Sequence, residues 1–197
     1  MMDITKKTLI ATVVAVVATM ANINAQGGKN AALGCPQQDG TQVAVKTDGQ
    51  IATLSTPLKV RLSPAPALRN ALEKTAEAKT TVRLSIETVQ PSLDKWSGLR
   101  VFLNAPGASA ATPETAPEYV ASVAFYGGTE GESKTFVLDI GRTLRRLKQA
   151  KRWKSGEPLT VTILPIPSDA SPSDGAKGIE VKRVVIALPD EANAKMK

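Results

Sequence analysis

Histidine is the residue whose absence says most about chemistry: the 197-residue chain contains none. That excludes a Ser-His-Asp triad, a Cys-His pair, a histidine general base and every His-ligated metal centre. A carboxylate pair can still act as acid and base. The 18 acidic residues are scattered, however, and none falls in a catalytic motif. Cys35 is the only cysteine, so no internal disulfide forms. It either pairs between chains or sits as a small buried hydrophobe. "ALGC" (32–35) is similar to a lipoprotein cleavage box, but "NINAQGGKN" separates it from the apolar run that such a box should end. The residues therefore point to a chain that is not an enzyme and binds no cofactor of its own.

Two other stretches could contact something outside the domain. Aromatic residues make up only 4% of the chain, yet "EYVASVAFYGG" (118–128) ends on two adjacent rings, Phe125 and Tyr126, followed by two glycines. Strand alternation sends the two rings to opposite faces. Tyr119, Val123 and Phe125 then share one face, and Val120 and Tyr126 the other. Tyr126 is the expected outward ring, because a phenol tolerates water; the alternative is that both rings are packing. The second stretch is basic: Arg142, Arg145, Arg146, Lys148, Lys151, Arg152 and Lys154. It is either a solvated helix face or a docking face for an acidic partner, with Arg142, Arg145, Arg146, Lys148 and Arg152 as its candidates.

Around these residues the chain reads as follows. Lys6 and Lys7 precede the apolar run "TLIATVVAVVATMA" (8–21), and Ile23-Asn24-Ala25 offers a cleavage site. This patterns as a signal peptide over 1–25, with an uncleaved anchor as the alternative. The expected location is therefore outside the cytoplasm, periplasmic or secreted, with no transmembrane span after cleavage. Losing Asp3, Lys6 and Lys7 lowers the formal charge of +7 by one. The mature chain stays moderately basic, which favours acidic partners. Nucleic acid is not expected, given export and the lack of zinc-finger spacing or an aromatic RNA-binding motif.

Residues 26–79 read as a flexible leader or linker with early extended chain and a short helix as options; "SPAPALRNALEKTAEAK" (63–79) supplies the helical spacing of Leu68, Leu72 and Ala76. From residue 80 the texture changes. "TTVRLSIETV" alternates with Val82, Leu84, Ile86 and Thr88 on one face, and "LRVFLN" follows with Leu99, Val101 and Leu103. "NAPGASAATPETAP" (104–117) is a loop long enough to have a role. Strands follow over "EYVASVAFY", "KTFVLDI", "PLTVTILPI" and "IEVKRVVIAL". "GRTLRRLKQAKRW" (141–153) has Leu144, Leu147, Ala150 and Trp153 every third residue, which predicts a short helix. The expected fold is mostly β: an antiparallel β-sandwich over 80–190 with one short crossing helix and a tail over 191–197.

The order of these elements resembles the C-terminal domain of the tyrosinase and polyphenol oxidase family. The matching segments are Val101-Phe102-Leu103-Asn104, Glu118-Tyr119-Val120-Ala121-Ser122, Leu138 through Leu147, Val161 through Pro165, and Gly178 through Ile186. Together they cover about residues 80–188. No single motif is specific; their order and spacing carry the resemblance. It implies a lone sandwich without the family's histidine-rich dicopper domain. The implied function is that of lid, assembly factor or subunit of an exported dicopper oxidase. Copper is then implied only in that partner. In such a role a bulky side chain fills the oxidase's substrate entrance, and Tyr126, Phe125 and Tyr119 are the candidates. The helix after "LDIGR" tends to be acidic in the plant members and is basic here, a departure that puts transfer of the plant interface in doubt. The alternative is an independent periplasmic structural or binding module whose basic face holds acidic partners.

Overall fold

Aliphatic residues at every second position need a surface on which to bury one face of each strand. In the computed structural model two antiparallel sheets supply it to each other. The structure describes residues 42–77, 81–154, 157–168 and 177–188. The expected signal peptide, Cys35, the leader up to residue 41 and the tail over 191–197 lie outside these residues.

The strands are β1 (Gln42–Ala52), β2 (Leu58–Leu62), β3 (Arg83–Val89), β4 (Trp96–Leu103), β5 (Tyr119–Ala124), β6 (Ser133–Asp139), β7 (Leu159–Pro167) and β8 (Ile179–Ala187). One sheet has the order β1-β8-β3-β6 and the other β2-β7-β4-β5, with every neighbouring pair antiparallel. The expected antiparallel β-sandwich is what the chain forms. Leu84 and Ile86 of β3, Leu99 and Val101 of β4, and Val161 and Ile163 of β7 meet in the layer between the sheets. Val82, Leu84, Ile86 and Thr88 are all buried, as the alternation predicts.

The sandwich starts well before the expected boundary at residue 80, with the early extended chain that is an option over 26–79. β1 pairs with β8 and β2 with β7, so 42–62 contributes an edge strand to each sheet rather than a leader. Pro57 lies in the short connection between them, where it has no ladder bond to break. The pairing partners of these strands lie far along the chain, in β7 and β8, which is why local texture does not reveal them.

The optional short helix over 63–79 also forms, beside the crossing helix. The first, α1 (Pro66–Glu77), starts with proline, whose fixed φ and missing N–H suit a first turn. It buries Leu68 and Leu72 in the core and packs against the second, α2 (Gly141–Gln149). Leu144, Leu147 and Trp153 are buried as the spacing predicts, but Ala150 is exposed, because the helix ends there.

That end has a definite geometry. The Arg152 N–H donates to the Leu147 carbonyl and the Lys151 N–H to that of Lys148, at 2.9 and 3.0 Å. Lys151 takes φ +57°, the left-handed position where glycine is usual. A side chain there costs about 1–2 kcal/mol, part of which the entropy of glycine cancels. Lys151→Gly is therefore expected to stabilise the fold by about 0.5–1 kcal/mol. A raised midpoint of urea unfolding at unchanged slope is the readout, and a lowered midpoint would contradict it.

Candidate functional site

β5 reaches its far end through a bulge. Phe102 pairs with Tyr119, but Val101 pairs with Ala121, so Val120 is an extra residue. A bulge inverts the alternation on its two sides. Tyr119 therefore does not share a face with Val123 and Phe125, and Val120 does not share one with Tyr126. Val120, Val123 and Phe125 pack on the main core. Tyr119 lies on the outer face, where it joins Phe102, Ala105, Ala108 and Leu164. Its ring meets that of Phe102 edge-on at 5.6 Å. Its phenol donates to Ser122 Oγ at 2.9 Å, and Ser122 in turn donates to Glu114 Oε1 at 3.0 Å.

Past the bulge the two adjacent rings separate as predicted. Phe125 is 6% exposed and meets Phe136 of β6 edge-on at 5.4 Å, so it joins the two sheets. Tyr126 is 84% exposed. Gly127 and Gly128 follow at φ +51° and +79°, values that L side chains rarely adopt, and they carry the chain over from one sheet to the other. The connection is held at both ends. The Phe125 N–H donates to the Ser97 carbonyl at 2.9 Å. Farther on, the Gly131 N–H donates to the Gln90 carbonyl at 3.0 Å, and the Gln90 N–H donates to that of Glu132 at 2.7 Å. A large ring that is solvent-exposed on a pinned connection loses little freedom on binding, which is how tyrosine serves as an interface anchor.

The five candidate docking cations divide by what they touch. Arg146 donates to the Tyr119 carbonyl and to Thr143 Oγ1, while Thr143 donates to that same carbonyl at 3.0 Å. These bonds fasten α2 to the bulge. Arg152 is ion-paired with Glu118, whose carboxylate is nearly buried. Arg145 and Lys148 are half-buried and each already makes an interaction of its own. Arg142 is exposed, as are Lys151 and Lys154. Part of the basic stretch therefore holds the helix in place, a role that a charge pattern cannot distinguish from docking.

The recurrent motifs also have structural work. Asn104, at φ +52°, accepts the Thr160 N–H on its side-chain oxygen at 2.9 Å, while its own N–H donates to the Thr160 carbonyl. The loop over 104–117 lies on the outer cluster, and Arg100 fastens it by donating to the Ala110 and Thr112 carbonyls at 2.9 and 2.8 Å. The role suspected for this loop is to cover Phe102 and Leu164. Among the described residues no group of three or more Cys, Asp or Glu is placed to hold a metal ion, and no helix is long and apolar enough to cross a membrane.

Residues 40–188 match the family model described as a domain of unknown function, DUF7868. The chain belongs to that family. The match begins just before β1 and ends just after β8, so the family unit is the whole sandwich with both helices. No curated protein matches the sequence. Among solved structures, this DUF7868 member is similar to recombinantly expressed latent aurone synthase, a polyphenol oxidase. The identity is 19% and the TM-score 0.47, over 78% of this chain and 30% of that one. A co-crystal of the same oxidase with hexatungstotellurate(VI) gives 18% and 0.45, over 82% and 33%. The coat protein of Tobacco streak virus gives 13% and 0.30, over 79% and 90%. The resemblance to a part of the polyphenol oxidase chain, read from the motifs, is thus met again in these matches. This chain spans about a third of the oxidase's length, and likeness at this level says nothing of chemistry.

Proposed function

We propose that this chain is a non-catalytic, exported accessory protein that presents Tyr126 to an oxidase whose dicopper site lies in a separate polypeptide. The observation that carries this reading is the exposure of Tyr126, a large ring on a connection pinned at both ends. The order of motifs shared with the C-terminal domain of the tyrosinase and polyphenol oxidase family names the partner class. On this reading the chain holds no cofactor, and the copper belongs to the partner. A phenol in the oxidase's entrance would occupy the place of a phenolic substrate, so the chain would act as a lid.

The test begins with the tagged chain in its own host and the identification of a co-purifying dicopper protein. Tyr126→Ala is expected to weaken that complex by about 2 kcal/mol, the loss typical of an interface tyrosine anchor, or roughly thirtyfold in Kd. Its stability should barely change, because the side chain is solvated. Phe125→Ala should instead lower stability, as the ring belongs to the core. Equal binding by wild type and Tyr126→Ala would remove the plug role.

A second reading has its own observation. Arg142, Lys151 and Lys154 remain exposed around α2, which suits an independent module that holds acidic polymers. Binding to a polyanion that falls steeply with salt would support it.

A further inference from the structure

Each sheet has two edge strands, and three of the four are blunted. β2 has only five residues, β1 breaks register between Lys46 and Gln50, and β5 carries the bulge at Val120. Such devices keep an edge from pairing with another chain. β6 lacks them: it pairs with β3 residue for residue from Ser133 to Asp139 and holds no proline. Its one lysine, Lys134, is balanced by Glu132 at 3.9 Å. The ladder to β3 runs through the even-numbered residues, since the Ile140 N–H donates to the Val82 carbonyl at 2.9 Å and the Glu132 carbonyl accepts the Gln90 N–H at 2.7 Å. Alternation then turns the N–H and C=O groups of Ser133, Thr135, Val137 and Asp139 away from β3, towards the open edge. All four residues are exposed, Val137 to 58%.

The core side of the strand is incomplete as well. Phe136 and Leu138 stand opposite Ile86 and Leu84 of β3 and face the same core. The β3 residues are fully buried, whereas Phe136 and Leu138 are only half-buried. The difference is the missing neighbour beyond β6. The strand's own sequence supplies one. Laid antiparallel on itself about Phe136, "SKTFVLD" sets Ser133 against Asp139 and Thr135 against Val137 as hydrogen-bonded pairs. Phe136 then meets Phe136 of the second copy at the closer, non-bonded position, where an aromatic pair is favourable. No like charges stand opposite one another, and antiparallel order brings the Lys134 end of each strand to the Asp139 end of the other. We propose that this protein forms a two-fold dimer through β6, with one sheet running through both copies. The join uses β6 itself rather than Tyr126, so it goes beyond the lid role and does not rest on it.

The test is the mass by light scattering of the chain purified from its host, over a range of concentrations. Reductant is present so that Cys35 cannot link two chains. A mass of two chains is expected. Thr135→Lys combined with Val137→Lys sets lysine opposite lysine on both sides of the join and should weaken dimerisation about tenfold. Thr135→Lys combined with Val137→Glu sets opposite charges at the same points and should leave a dimer at least as tight as that of the wild type. Both residues are exposed, so circular dichroism should show the same sheet content in all three proteins. A wild type that stays monomeric at every concentration would overturn the proposal. So would a dimer that the lysine–lysine variant leaves unchanged, and a dimer lost in both variants would overturn the register. None of these readouts depends on an oxidase partner.

Discussion

Phe102→Ala is expected to destabilise the protein by about 3–5 kcal/mol, the range for deleting a fully buried phenylalanine. Phe102 is completely buried, but not between the two sheets. It lies on the outer face of β4, with Tyr119 edge-on at 5.6 Å and the Arg100 guanidinium over its ring at 5.6 Å. Ala105, Ala108 and Leu164 complete the cluster. Removing the ring takes support from three things together: the bulge at Tyr119, the loop over 104–117, and the arginine that fastens that loop. Urea unfolding should show a lower midpoint. Limited proteolysis should cut within 104–117 before the rest of the chain, since the loop's apolar seat is gone. Phe102→Leu keeps most of the volume and should cost much less. A loss under about 1 kcal/mol for Phe102→Ala would mean that the outer cluster does not contribute to the stability of the sandwich.

Gly98→Ala is expected to cost about 3 kcal/mol, the upper end for inserting one methyl group into a packed region. A Cβ at this position would stand 2.1 Å from the Val123 carbonyl oxygen and 3.1 Å from Ala124 Cα. Both are backbone atoms of the neighbouring strand, so no rotamer change relieves the overlap and β4 must move away from β5. The strain falls beside the bond from Phe125 to Ser97 that pins the connection carrying Tyr126. The variant should therefore melt roughly 6–12 °C lower and, on the proposed lid role of Tyr126, should also bind the oxidase less well. Gly107→Ala is the control. Nothing lies within 4 Å of the Cβ it would add, so it should be neutral or slightly stabilising. A Gly98→Ala protein that melts with the wild type would show that the strands separate freely here.

Much of the sandwich is legible in the sequence because strand alternation is a local property. Leu84 with Ile86, Leu99 with Val101, and the opposite destinations of Phe125 and Tyr126 all follow from a period of two. So does the burial of Leu144 and Leu147, from the spacing of one short helix. The absence of histidine chemistry is equally secure, since composition does not depend on fold. Tertiary structure decided the rest, because the remaining interactions join positions far apart in the chain. An extra residue at Val120 inverted the face of Tyr119, and only pairing with β4 reveals it. Strands β1 and β2 became edges of two different sheets because their partners are β8 and β7. Arg146 and Arg152 look like docking charges in the sequence, but they are held by the Tyr119 carbonyl and by Glu118, 27 and 34 residues away. The open edge of β6 has no sequence signal either: "SKTFVLD" is one alternating strand among several until the sheet order leaves it outermost.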